Sequence, residues 1–374
     1  MIDHSDGTTD ALIDRVLQAV ASRENRQRGA LRPPIAFALE EHICWHHIFG
    51  IDVHECFRDP RMYFAQTLRN KLWRWQSFPD DDGRITPSVP ASLGWYPEYT
   101  FIGLDVTYSA GGVPSIQTDH DLTHYPELRR LPRVDFYHSG WMPRVLHWYD
   151  DLLAIAGDRL PVSFDMLWQR GCLDLAVQLR GYGNFVLDTR ERPRFVHDLL
   201  KHLVEQRCLW YDAYHAHFGT KPSPVGIADD WVNVPFITPG MFADFVLPRY
   251  LEIEAYHGGL LSVHSCGNQT PIQQYLLELK SLPTLEVGPW TDLEQSLQNI
   301  PPTKHLHVSL HPNDVLVATE EEMERQLAEI MAACDGRSYS IGTSGLTPLS
   351  ADIDRFVGSL RTWTAIARTL REGR

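Results

Sequence analysis

Leu260-Leu261-Ser262-Val263-His264-Ser265-Cys266-Gly267-Asn268 is a short apolar run that closes on a His-x-Cys pair and then a glycine. Extended backbone repeats its side-chain direction every second residue, so His264 and Cys266 leave the end of this strand on one face, near enough to serve one metal ion or one substrate. A soft thiolate beside an imidazole is a donor pair that suits zinc, with further ligands required from elsewhere in the chain. The stretch therefore reads as a strand that delivers chemistry at its carboxyl end.

The run does not stand alone. From Val162 onward, apolar runs of about four to six residues alternate with helical patterns, the signature of βα units around a parallel sheet. Val225 to Ala228, Leu260 to Val263, Thr284 to Val287, Leu306 to Leu310 and Tyr339 to Ile341 are the expected strands. Helix starts lie between them. Thr238-Pro239 and Thr270-Pro271 set a cap residue before a proline in the first turn, and Thr319 with Glu322 forms a capping box ahead of Met323, Leu327 and Ile330. A last helix from about Ser350 buries Ile353, Phe356, Val357, Leu360 and Trp363. Upstream, Thr9 caps a helix that carries Leu12, Ile13, Val16 and Leu17 and stops near Gly29, and Ile35 to Leu39 is a wholly apolar run suited to a strand buried on both faces. Residues 41–130 read as irregular and rich in Trp, Tyr, His, Pro and Gly, with one helix around Pro60 to Trp75. The fold expected is α/β, a (β/α)8 TIM-like barrel with an elaborated N-terminal region. It forms a single domain over 1–374, in which ~1–130 supply the first helix, first strand and cap and ~160–374 the regular βα units.

Composition narrows the function. The chain has 374 residues, 43% hydrophobic and 22% charged, with a formal net charge of −14. Its Lys and Arg are scattered rather than striped, which argues against nucleic acid as a partner. No apolar run approaches the ~20 residues that cross a bilayer. Met1 to Asp10 carries three acids and no basic or apolar leader, so a cytoplasmic protein without a membrane partner is expected. The six cysteines contain no CxxC spacing and are too sparse for a disulfide framework, so reduced thiols are expected.

In parallel α/β barrels the reacting groups lie just past the carboxyl ends of the strands. Here these positions hold Asp229-Asp230-Trp231, then His264 and Cys266, then Glu286, then Ser309 and His311, and finally Thr343-Ser344. Asp230 and His264 are the candidate catalytic residues, Asp229, Trp231, Glu286 and His311 the candidate substrate contacts, and His264 and Cys266 the candidate metal ligands. Two further His-x-Cys pairs, His42/Cys44 and His54/Cys56, are either additional ligands or buried structural groups. No nucleophile elbow, GxGxxG or Walker-type loop is present, which disfavours a Ser-His-Asp hydrolase and nucleotide chemistry.

The order of these motifs resembles the uroporphyrinogen decarboxylase superfamily, which includes cobalamin-linked methyltransferases. Gly181-Tyr182-Gly183-Asn184-Phe185 before Pro193 looks like that family's middle section, and Ile227-Ala228-Asp229-Asp230-Trp231 followed by Thr238-Pro239, Phe245 and Pro248 looks like its next segment. His264-Ser265-Cys266-Gly267-Asn268 is the most specific mark. The resemblance covers most of the chain and implies a modified α/β barrel with its site at the strand ends. The thiol-activating methyltransferases of that group add a second cysteine near the last strand, where this chain has Gly342-Thr343-Ser344-Gly345. Asp230, Glu286 or the Glu41 to Cys44 segment is left to supply the missing ligand. The arginine-rich N-terminal signature of the porphyrinogen decarboxylases is absent, with Glu40 and Glu41 in its place, and a many-carboxylate tetrapyrrole needs such cations.

The function implied is methyl transfer between a small methylated substrate or thiol and a corrinoid carried by a partner protein, with zinc assisting. Trp45, Trp73, Trp75, Trp95, Tyr96 and Tyr99 are candidates to line the substrate cavity. The alternatives are a metal-independent decarboxylase or lyase of a small carboxylate, and a non-catalytic small-molecule-binding barrel.

Overall fold

The five downstream strands form where apolar periodicity places them. In the computed structural model, which describes residues 8–94, 97–108, 115–117, 120–348 and 352–373, the strands are β1 (Val89–Ala91), β2 (Asp105–Thr107), β3 (Ser115–Gln117), β4 (Val162–Phe164), β5 (Val225–Ala228), β6 (Leu260–His264), β7 (Thr284–Val287), β8 (His305–Leu310) and β9 (Tyr339–Thr343). β1 pairs with β4, β5 with β6, and β7 with β8 and β9 in order, all parallel. β2 and β3 form an antiparallel pair. Parallel neighbours need long crossovers, and helices such as Pro193–Phe218, Leu247–His257 and Glu320–Ala333 supply them. The architecture is α/β.

Two shorter contacts extend the parallel order. Ile35 and Leu39 bridge to Ile341 and Leu346 beside β9, and Arg170 bridges to Ala228 at the end of β5. Among the described residues these ladders do not close into one ring, and the opening beside Ile35–Leu39 has a physical cause. The far edge of that segment is satisfied by side chains: Asp82 Oδ2 accepts from the Ile35 N–H at 2.6 Å, and Arg74 donates to the Phe37 carbonyl at 2.7 Å. The backbone groups on that edge are therefore already taken. At the second opening β6 and β7 lie side by side without a ladder, and the His264–Glu286 side-chain bond crosses the gap.

Local chemistry accounts for most helix boundaries. Thr319 and Glu322 make the reciprocal capping box of Glu320–Ala333, and Thr238 caps the turn at Pro239. The first helix is capped by Thr8, one residue before Thr9, and stops at Ser22, with a short helix Arg23–Gln27 after it. Thr270 caps nothing: its hydroxyl accepts from Asp292 N–H in the next loop. In the stretch read as irregular, the helix expected around Pro60 to Trp75 forms over Pro60–Ser77, and Glu41–Phe49 is a further helix. In the last helix, Ile353–Glu372, Phe356, Leu360 and Trp363 are buried while Ile353 and Val357 are half-buried. Each fully buried large apolar side chain contributes about 1.5–3 kcal/mol. Ser350, Trp95 and Tyr96 lie outside the described residues. Among the described residues no helix is long and apolar enough to cross a membrane.

Candidate metal centre

The site is built by two neighbouring strands and the loops that leave them. β5 ends at Ala228, so Asp229 and Asp230 are the next residues to alternate sides. Asp229 turns inward and is fully buried, with its Oδ2 accepting from the Leu173 N–H at 3.1 Å and the Tyr250 hydroxyl at 3.0 Å. Burial and the nearby Asp174 push its carboxyl well up, against the pull of the Tyr250 hydrogen bond. Asp230 turns outward. Its Oδ2 accepts from Arg170 Nη1 at 2.7 Å and its Oδ1 from the Cys266 thiol at 3.3 Å.

β6 supplies the other two groups with the expected period of two. His264 and Cys266 share a face, Nε2 to Sγ at 3.5 Å, while Ser265 between them is buried and accepts from Asn233 Nδ2 at 3.1 Å. Asn233 also donates to the Asp230 carbonyl at 2.6 Å, and so ties the loop after β5 to the loop after β6. Glycine at 267 follows from that tie. A Cβ there meets Asn233 Oδ1 at 2.1 Å.

One donor atom from each of Asp230, His264 and Cys266 lies within 4.8 Å of the others. The oxygen, nitrogen and sulfur set fits zinc, which takes three protein ligands and keeps one position open in catalytic sites. The neighbours orient these donors. Glu286 Oε2 lies 2.6 Å from His264 Nδ1, which turns Nε2 toward the other two groups. Burial works against charge on this imidazole, but its hydrogen bonds with Cys266 and Glu286 outweigh burial and lift it to about 10. On the opposite flank Arg170 lies 3.3 Å from Asp174, which accepts a hydrogen bond from Tyr99.

Beside the three donors a cavity of about 380 Å³ is lined by Glu40, His264, Glu286, His307, Ser309 and Thr343. Glu40 enters it over Gly345, whose missing side chain makes the room: a Cβ there falls 1.8 Å from Glu40 Oε1. Burial first, then Asp230, raise the Glu40 carboxyl, with His264 opposing. A second cavity of about 320 Å³, sharing Leu39, is lined by Glu41, His42, Trp45, Tyr63, Glu98 and Arg170.

The four other expected residues take four different positions. Glu286, expected against substrate, is the hydrogen-bond partner of His264. Asp229, also expected there, is sealed inside, where it holds the Leu173 backbone. His311 opens into a different cavity of about 440 Å³ beneath the helices Leu293–Asn299 and Glu320–Ala333, with its ring edge-on to Trp290 at 5.4 Å. Trp231 stands beside Asp230 and stacks on Tyr182 at 5.0 Å, with Phe236 edge-on at 4.8 Å. The upstream pairs do not join the site. Cys44 and Cys56 are fully buried, and burial, with nearby acids, pushes both thiols up to about 12. Trp73 and Tyr99 are packed in the core, and Trp45, also buried, forms part of the wall of the second cavity.

Arg170 and His307 were not singled out from sequence, and Glu40 was noted only as standing where the decarboxylases carry arginines. His307 carried a usable signal, since it alternates with Leu306 and Val308 on a strand one face of which points inward. Arg170 follows the end of β4 by six residues, and nothing local distinguishes it.

The uroporphyrinogen decarboxylase (URO-D) family model matches residues 98–354. Among solved structures, a methyltransferase from Methanosarcina mazei superposes with a TM-score of 0.64, covering 96% of this chain and 98% of its own at 15% sequence identity, a likeness of fold. No curated protein matches the chain.

Proposed function

The chain belongs to the uroporphyrinogen decarboxylase (URO-D) family, and from that membership we propose that it is a methyltransferase, moving a methyl group between a small methylated substrate or thiol and a corrinoid carried by a partner protein. The observation that carries the reading is the meeting of Asp230, His264 and Cys266 at the ends of β5 and β6. The fold shared with a methyltransferase supports it. We read the parallel segments, Ile35–Leu39 included, as the staves of a (β/α)8 barrel in a single domain.

Asp230, His264 and Cys266 would hold zinc, and zinc when bound lowers the pKa of a thiol or polarises a leaving oxygen. The remaining work falls to the chain's own groups. Glu286 fixes the imidazole so that Nε2 faces the cluster. Glu40 and the cavity it shares with His307, Ser309 and Thr343 hold the polar end of the reactant beside the donors. Trp231, Tyr182 and Phe236 form an aromatic step next to Asp230, with Phe236 41% exposed, where an apolar methyl-bearing body is sheltered from water.

The decarboxylase reading fits less well. A carboxylate substrate needs free cations, whereas Glu40 and Glu286 flank the cluster and Arg170 is committed to Asp174 and Asp230. The test is metal analysis of purified protein with a methyl-transfer assay on methylcobalamin as donor. Stoichiometric zinc that is lost in Cys266→Ser, together with demethylation of the corrinoid, is expected. A metal-free protein that turns over a small carboxylate equally well with or without Cys266 refutes it.

A further inference from the structure

A carboxylate that binds a metal through one oxygen is held in that mode by a partner on its other oxygen, which keeps it from rotating and chelating with both. Asp230 has such an occupant. Arg170 Nη1 takes Oδ2 at 2.7 Å, while Oδ1 is the atom facing Cys266 Sγ at 3.3 Å and His264 Nε2 at 3.9 Å. The guanidinium is itself held. The same nitrogen reaches Asp174 at 3.3 Å, Asp174 is only 2% exposed and accepts from Tyr99, and Arg170 Cζ lies 5.9 Å from the Tyr99 ring. Its backbone is fixed as well, because the Arg170 N–H donates to Glu98 Oε1 at 3.0 Å and the Gly171 N–H to the Ala228 carbonyl at 2.8 Å.

We infer that Arg170 is a positioning residue of the metal centre: by occupying Oδ2 it leaves Asp230 to meet the cation through Oδ1 alone, with Asp174 and Tyr99 as its anchor. The assignment rests on the zinc reading above. Charge supports it. A thiolate and one carboxylate balance a divalent ion, and Arg170 is balanced in turn by Asp174. Arg170 then does for the carboxylate what Glu286 does for the imidazole, and the two donors are oriented from opposite flanks of the cluster.

The test is zinc affinity of the full-length chain, by competition with a chromophoric chelator, together with the visible spectrum of the cobalt(II)-loaded protein. Loss of an orienting partner weakens metal sites by roughly 10- to 100-fold, so Arg170→Gln is expected to lose about tenfold in zinc affinity and to change its cobalt ligand-field bands. Arg170→Lys, which keeps the charge but not the fork, recovers part of the loss. Because Arg170→Gln strands a buried Asp174, the Arg170→Gln/Asp174→Asn double variant is measured beside it. A folded double variant with wild-type zinc affinity and an unchanged cobalt spectrum overturns the assignment. If Cys266→Ser and Asp230→Asn also keep wild-type affinity, or the wild type binds no zinc, the zinc reading itself fails, an outcome that does not depend on Arg170.

Discussion

Replacing Glu286 removes the group that holds the metal-facing imidazole in place. Its carboxylate lies 2.6 Å from His264 Nδ1 and is 13% exposed, so the bond is sheltered and charge-assisted. In Glu286→Gln the amide oxygen still accepts from Nδ1–H, but the charge that strengthens the imidazole as a donor is gone. In Glu286→Ala the ring also loses its orientation. Such partners are worth roughly 10- to 100-fold in metal affinity. We expect the glutamine variant near the lower bound and the alanine variant near the upper, about 1.4 and 2.7 kcal/mol respectively. The assay is competition for zinc against a chromophoric chelator at fixed pH and ionic strength, with Cys266→Ser as the reference for a lost ligand. A folded Glu286→Ala protein that holds zinc as tightly as the wild type, while Cys266→Ser does not, removes the carboxylate from the metal centre.

Three further outcomes follow from the same geometry. Tyr250→Phe removes one of two donors to the buried Asp229 and should cost about 1–3 kcal/mol in urea denaturation while leaving zinc affinity unchanged; a loss of zinc instead makes Asp229 part of the site. Gly267→Ala drives a methyl group into Asn233 and should destabilise by about 1–3 kcal/mol and weaken zinc together, since Asn233 joins both loops; a variant within the error of the wild type on both counts disproves the tie. His257 is 2% exposed and packs on Tyr211, and burial with the Arg207 charge pushes its imidazole down to about 3. Its contribution is intact above the unfolded pKa of about 6.5 and is lost as pH falls toward 3, so wild-type stability should drop relative to His257→Phe by about 1.4 kcal/mol per pH unit in that window. Urea midpoints that run parallel for the two proteins from pH 7 to pH 5 exclude it.

The strands that carry the site were legible because each is a short, largely apolar run set between helical patterns, and β5 and β7 begin and end at the residues expected. β1 was not, since Val89-Pro90-Ala91 is three residues with a proline and carries no periodicity. The helix Glu41–Phe49 was missed for a related reason: it buries Cys44 and Trp45 but sets histidines on both sides of them, so no apolar stripe marks it. At the site, the period of two was enough to bring His264 and Cys266 together. Which of the adjacent aspartates joins them depends on the side chains packed across from β5, Tyr250 on one side and Arg170 on the other. Those partners lie 21 and 60 residues away in sequence, beyond the reach of any local pattern. The openings in the ladder were hidden in the same way, because the occupation of the Ile35 edge by Asp82 and Arg74 is a tertiary event.

Asp229 and Asp230 are chemically identical neighbours with opposite duties, and only the direction of the backbone at each position assigns them. Inserting or deleting a single residue within β5 moves both carboxylates to the opposite face, so that the scaffold loses its anchor and the reactive carboxylate is entombed in the same step. The length of this segment is thus as much a requirement for activity as the identity of any side chain on it, and a library that varies loop lengths around the mouth should find this one intolerant.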